Sequence, residues 1–279
     1  MASTEVAREH PLGMQHLAGC IALSQAANWN QNAADWRLML DIGRGYGLTL
    51  ADGTLAATTI TLPYSEQFAW VSMVLVLPEH RRKGYATQLL KRALADLAKA
   101  GSAAVLDATP AGHDVYAAEG FRDTWGFKRF VLKDPSDFRF DAERVRALQP
   151  ADWAQVAALD REAFGADRVR LLRALALRLP EAALVCESAG RVAGFVLGRE
   201  GREANQIGPL VARDAETARA LLASACARVA PPVYVDLVDR EAPPADFSFQ
   251  RPFMRMVLGA EAAPGASSLV FCPAGPELG

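Results

Sequence analysis

The chain has 279 residues, with 30 Lys+Arg against 32 Asp+Glu, a formal net charge of -2, 51% hydrophobic and 22% charged residues. That composition is globular; it excludes disordered, collagenous and low-complexity classes, and the near-neutral charge argues against a dedicated nucleic-acid binder. No apolar run reaches the roughly 18 residues of a membrane span. The first residues, MASTEVAREHPLG, lack the basic and apolar regions of a secretory signal. The four cysteines, Cys20, Cys186, Cys226 and Cys272, form no C-x-x-C pair, and the four histidines no metal-spaced pair, so neither a metal nor a disulfide framework is expected. A reduced, cytoplasmic protein with no membrane partner is the expectation.

In chain order, helical spacing falls at residues 13–25 and 31–41. Gly47–Ala51 and Thr54–Leu62 read as strands joined through Asp52-Gly53, a strong hairpin signal. A third strand runs from about Phe68 to Leu77 and is ended by Pro78. After the polar segment Glu79–Gly84 a helix extends to about Lys99, its apolar face set by Leu90, Ala93, Leu94 and Leu97. Ala103–Asp107 is a strand, His113–Glu119 a short helix, and Gly126–Leu132 a closing strand. Lys133-Asp-Pro-Ser-Asp137 is a polar break. The second half repeats the order: helices at 151–160 and 168–178, strands at 184–188, 192–198 and 207–212, a helix at 215–229, and strands at 233–238 and 254–258. This predicts a first domain over 1–133, a linker over 134–146, a second domain over 147–260 and an irregular tail over 261–279. A single continuous mixed sheet is the bland alternative.

The most informative stretch is Val74-Leu-Val-Leu-Pro-Glu-His-Arg-Arg-Lys-Gly-Tyr-Ala-Thr87. A strand ends, a loop turns and a helix begins. Gly84 has no Cβ, so a ligand can approach its backbone closely. The first N–H groups of a helix lack intrahelical partners and face outward, where the dipole favours an anion. Arg81, Arg82 and Lys83 add positive charge. A phosphate or pyrophosphate fits this arrangement, yet the residues match neither a Walker loop nor a G-x-G-x-x-G fingerprint.

This run, V-x-P-x-x-R-R-x-G-Y-A-T-x-L-L, resembles the acetyl-CoA motif of the GNAT superfamily of N-acetyltransferases. The later text Leu106-Asp-Ala-Thr109, Val115-Tyr116 and Gly120-Phe121 resembles that superfamily's strand, short Tyr-bearing helix and "GF". The resemblance covers most of residues 4–133. It implies an α/β (α+β) fold of two tandem GNAT-like domains, each a twisted, mostly antiparallel sheet flanked by helices, with a splay where the co-substrate enters. It implies that the backbone of Val74 and Val76 pairs with the acetyl and pantetheine amides like an added strand. It also implies that the N–H groups from Arg82 through Lys83, Gly84, Tyr85, Ala86 and Thr87 hold the pyrophosphate. The side chains of Arg81 and Arg82 have a second reading as a solvated basic patch.

Tyr116 is the residue that the resemblance assigns to chemistry, as a phenol donating a hydrogen bond or a proton to the leaving thiolate. The bland reading is a ring packed on the sheet with its hydroxyl in water. His113 lies one turn earlier and reads as a surface residue. No base is visible; Glu66 before the third strand is a weak candidate, and water or backbone are alternatives. The resemblance implies an acyl-CoA-dependent N-acetyltransferase acting on a primary amine of a small molecule, a Lys or an N-terminus. A non-catalytic acyl-CoA sensor and an O-acyltransferase are the other readings.

The second half lacks the basic glycine loop. Asp214 and Glu216 at its helix start suit the dipole and would repel a pyrophosphate, and Ala242–Ala245 is Pro-rich where a Tyr helix is expected. The whole layout resembles a bacterial tandem group, through Asn28-Trp-Asn-Gln31 with Asp35-Trp36, Phe164-Gly-x-x-Arg168, Ile207-Gly-Pro209 and Arg255-Met256. Trp29, Asn30, Asp160, Phe164 and Arg168 are the candidate acceptor-pocket residues; core packing, ion pairing and a helix cap at Asn30 are their simpler readings.

Overall fold

The computed structural model describes residues 7–134 and 144–279. Residues 135–143, most of the expected linker, lie outside the described residues, as do 1–6. The chain divides into two compact units, each assembled from non-contiguous segments. Residues 1–106, 115–122 and 257–261 form the first unit, and 107–114, 123–256 and 262–279 the second.

The first unit is built from β1 (Arg8–Pro11), α1 (Leu17–Ala26), α2 (Ala33–Ile42), β2 (Arg44–Thr49), β3 (Leu55–Pro63), β4 (Phe68–Val76), α3 (Tyr85–Lys99) and the start of β5 (Ala103–Ala108). The strand order is β1-β2-β3-β4-β5. Strands β1 to β4 pair antiparallel, and β4 with β5 parallel. Eight of the nine residues of β3 are buried. Successive side chains point to opposite faces, so both faces of the sheet are covered there. The helix α3 sends Leu89, Leu90 and Ala93 inward, and Leu89 meets Leu48 and Ala57. Each buried leucine contributes up to about 2 kcal/mol. Trp36, Met39, Ile60, Leu62 and Trp70 are fully buried. The helix α2 starts at Asn32, whose side chain accepts from the amides of Ala34 and Asp35, so the cap is Asn32 and not Asn30.

The short helix α4 (Pro110–Ala118) and β6 (Arg122–Leu132) come next in the chain. The second unit continues with β7 (Val145–Ala147), α5 (Trp153–Phe164), α6 (Val169–Arg178), β8 (Leu184–Ser188), β9 (Arg191–Arg199), β10 (Asn205–Ala212), α7 (Ala215–Cys226), β11 (Val233–Val238), β12 (Phe247–Leu258) and β13 (Val270–Cys272). Its strand order is β12-β6-β11-β10-β9-β8-β7, with β13 on β10. The expected closing strand of the first domain, β6, therefore pairs with β11 in the second unit, from Phe127↔Val238 to Leu132↔Val233. The cause lies in its side chains. Arg129 stands directly opposite Asp236 and donates two 2.7 Å hydrogen bonds to it, while Phe130 and Leu132 join the second core.

The segment after residue 260 is irregular along much of its length, but it is not a free extension. Leu269 to Cys272, Ala274, Glu277 and Leu278 are all buried, and β13 is part of the sheet.

Candidate active site

In the first unit the ladder between β4 and β5 runs from Phe68↔Ala103 to Trp70↔Val105. Beyond it β4 changes course. Two residues of β4, Met73 and Val74, face one of β3, Thr59, because the register shifts between Thr58↔Leu75 and Ile60↔Ser72. That is a β-bulge, and Met73 sits at φ +50°, a strained value for a residue with a side chain. A buried hydroxyl holds it: Thr58 Oγ1 donates to the Met73 carbonyl at 2.8 Å. Past the bulge Val74 and Val76 are half-buried, Val76 standing opposite Ala57 of β3 and packing on the Leu48–Ala57–Leu89 cluster.

The loop after β4 is a single 3₁₀ turn, Pro78–His80, followed by two left-handed residues, Arg82 at φ +61° and Gly84 at φ +81°. A Cβ at Gly84 would have nothing within 4 Å, so the glycine serves the backbone conformation and open space above it. It is the N-cap of α3 and no side chain caps the helix. The first-turn amides of Tyr85, Ala86 and Thr87 thus face outward with the positive end of the dipole. Arg81, Arg82, Lys83 and Gly84 are exposed. Arg81 Nε also donates to the Val76 carbonyl at 3.3 Å, and Lys83 Nζ meets His80 Nδ1 at 3.2 Å. The loop is legible in the sequence, and the resemblance implies a bulge or splay in this strand; that it falls at Met73, the Arg81 contact and the Thr58 hook are not legible.

Tyr116, in the portion of α4 that belongs to the first unit, is half-buried and places its ring edge-on to Phe121 at 6.0 Å. Burial pushes its phenol up to about 12, and its hydroxyl has no hydrogen bond among the described residues. His113 is tied to Asp123 at 2.8 Å, which raises its pKa. Glu66 lies exposed in the turn before β4. Among the described residues no group of three or more His, Cys, Asp or Glu could hold a metal ion, and no helix is long and apolar enough to cross a membrane.

The profile described as "Acetyltransferase (GNAT) family" matches residues 15–121, and that described as "Acetyltransferase (GNAT) domain" matches 156–272. The chain belongs to the GNAT acetyltransferase family. It carries two such domains in tandem. A Bacillus subtilis protein named "Uncharacterized N-acetyltransferase YitH" is 23% identical over 226 residues, 80% of this chain and 79% of that one. A putative acetyltransferase from Pyrococcus horikoshii superposes with a TM-score of 0.79 at 20% identity, over 100% of this chain and 98% of that one. A tandem GNAT protein from the clavulanic acid biosynthesis pathway gives 0.64 at 16% identity, over 92% and 100%. These likenesses establish the tandem GNAT fold.

The second GNAT-like domain shares the strand irregularity, with the register of β10 on β9 shifting between Ile207 and Leu210, but its helix start and the segment after β11 differ. Its helix α7 is capped: Asp214 Oδ1 accepts from the Thr217 amide at 2.7 Å, a bond that holds the carboxyl below its ordinary pKa. The Ala242–Ala245 segment forms no helix.

The candidate acceptor residues fall into two groups. Trp29, half-buried, and Asn30, buried, lie in the first unit between α1 and α2, where the Trp29 amide bonds the Ser24 carbonyl at 2.9 Å. Asp160, Phe164 and Arg168 come together inside the second unit. Arg168 donates to Asp160 at 2.9 and 3.0 Å, stacks on the Phe164 ring at 3.7 Å, and bonds the carbonyls of Leu278 and Gly279. All three are buried and every polar atom of the ion pair is engaged. Through Arg168 this cluster holds the end of the tail.

Proposed function

We propose that the first domain transfers an acetyl group from acetyl-CoA to a primary amine, by direct attack within a ternary complex. The observation that carries this reading is the combination, in one unit, of a strand edge opened by the Met73 bulge and an uncapped helix start behind the left-handed Gly84. The Val74 and Val76 backbone would pair with the acyl and pantetheine amides. The amides from Arg82 through Thr87 would hold the pyrophosphate, with the Arg81, Arg82 and Lys83 side chains adding charge. Acetyl-CoA supplies an acyl group activated as a thioester.

The amine nitrogen forms the new bond to the acyl carbon, the C–S bond breaks, and the departing thiolate accepts a hydrogen bond from the Tyr116 phenol while the proton that the amine sheds reaches the sulfur through water. A phenol held near 12 stays protonated at neutral pH and above, as a donor must. Proximity supplies much of the rate. Trp29 and Asn30 are the acceptor contacts that fit the first unit. The second domain, with an acidic residue already seated on its helix start, takes no part in binding acetyl-CoA.

Calorimetry on the full chain tests this. One acetyl-CoA per chain, lost in Gly84→Asp, with turnover on a panel of primary amines, is the expected result. Binding without turnover on any amine would leave an acyl-CoA-binding module. Unchanged affinity in Gly84→Asp would overturn the pyrophosphate loop.

A further inference from the structure

In the second unit β10 and β11 pair in parallel from Asn205↔Val233 to Ile207↔Val235. The ladder then stops, as the β4–β5 ladder stops in the first unit. Beyond that point the two units differ. The edge of β10 that becomes available is already paired: β13 runs antiparallel along it, with Leu210 opposite Cys272 and Val211 opposite Val270. The backbone is shaped for this neighbour. Gly208 has φ +150°, and a Cβ there would run into the carbonyl oxygen of Pro273.

The segment is also held by charge. The buried carboxylate of Glu277 accepts from the buried guanidinium of Arg199, which also donates to Gln206 Oε1 at 3.2 Å. Gln206 in turn donates to Asp236 at 2.8 Å. At the far end Arg168 takes the carbonyls of Leu278 and Gly279.

We propose that the opened edge of β10 is a peptide-strand site, filled in cis by residues 269–279, which stand where the pantetheine arm stands in the function proposed for the first domain. The inference rests on that function for the position of the arm. The chemistry is shared: pantetheine and a peptide both present amides along an extended chain, and either can pair with a strand edge. The ends select between them. A pyrophosphate needs free helix amides, and here Asp214 occupies one and repels the charge. A peptide needs no anion site. It gains instead the burial of Leu269, Val270, Phe271 and Leu278 and the ion pair at Glu277. Because the occupant is part of the same chain, its effective concentration is of order millimolar or more, which a diffusing acyl-CoA does not match.

Hydrogen exchange on the full-length protein, with and without saturating acetyl-CoA, tests this. Amides of 270–272 and of Leu210 and Val211 are expected to be as protected as β11 in both conditions, while 74–76 gain protection on adding acetyl-CoA. No response at 74–76 would refute the first-domain function and leave the tail amides to be judged alone. Exchange of 270–272 at the rate of a free peptide would overturn the proposal. So would loss of their protection on adding acetyl-CoA, or a second acetyl-CoA per chain. Glu277→Gln should speed exchange at 270–272 about tenfold, with 233–238 unchanged. Equal acceleration of both segments, or none at 270–272, would show that Glu277 does not hold the strand in its slot. If that variant fails to fold, the wild-type exchange pattern and the acetyl-CoA count still decide.

Discussion

The hydroxyl of Thr58 and the carbonyl of Met73 lie 2.8 Å apart across two strands, with Thr58 fully buried. This bond fixes the residue at which β4 departs from regular pairing. Replacing Thr58 by Val keeps the shape but leaves a buried carbonyl unpaired, at a cost of about 1–3 kcal/mol. Thr58→Val should raise the KM for acetyl-CoA several-fold more than it lowers kcat, and Thr58→Ser should restore both. A loss of stability with unaltered KM would show that the bulge does not depend on this hydroxyl.

Gly84→Ala separates the backbone from the ligand. The new methyl meets no protein atom within 4 Å, so the folded state bears only the left-handed strain of about 1 kcal/mol. Thermal unfolding should fall by a few degrees at most. Acetyl-CoA affinity should fall by tenfold or more, because the methyl enters the space above the α3 amides. Equal affinity in calorimetry would rule the loop out as the anion site.

Tyr116 gives a pH signature. Its folded pKa is raised to about 12 from an ordinary 10 by burial. The folded state therefore holds a proton that the unfolded state has lost between those values, so this group's contribution to stability declines as pH rises through that window. Ultraviolet titration should show one phenolate appearing near pH 12 that is missing in Tyr116→Phe. Activity should climb with deprotonation of an amine acceptor and show no fall from this phenol below about pH 11. A phenolate near 10 that is lost in Tyr116→Phe would contradict the burial.

Arg129 and Asp236 test what recruits β6 to the second unit. Both are buried, and Asp236 also accepts from Gln206. Arg129→Met leaves a buried carboxylate without its cation and should cost about 3–5 kcal/mol in denaturant unfolding. Pairing it with Asp236→Leu should recover a large part of that loss. A single variant as stable as the wild type would show the pair to be dispensable.

Much of the fold was legible because its signals are local. The Asp52-Gly53 hairpin, the apolar stripe of α3 and the strand-loop-helix around Gly84 each depend on neighbours in sequence. The missed strands are short or polar. β1 is Arg-Glu-His-Pro, with no apolar alternation, and β7 and β13 have three residues each. Long-range choices were invisible for a different reason. That β6 answers β11 depends on Arg129 meeting a carboxylate 107 positions later. That Met73 takes a positive φ depends on a hydroxyl in another strand. The two adjacent threonines, Thr58 and Thr59, inside a mostly buried strand were a residue-level hint. The Arg168–Asp160 pair matches the simpler reading of those two residues as ion-pair partners, whereas the carbonyls of Leu278 and Gly279 that Arg168 also holds carry no sequence signal.

All four cysteines are buried in the folded chain. Burial lifts Cys20 and Cys226 to about 12 and pushes Cys272 up as well. Thiolates, not thiols, attack thioesters and disulfide reagents. A folded molecule of this kind offers such reagents almost no nucleophilic sulfur of its own. A colorimetric thiol reagent added during turnover would register released coenzyme A over a near-zero protein background, and a sudden rise to four equivalents would signal unfolding instead of catalysis.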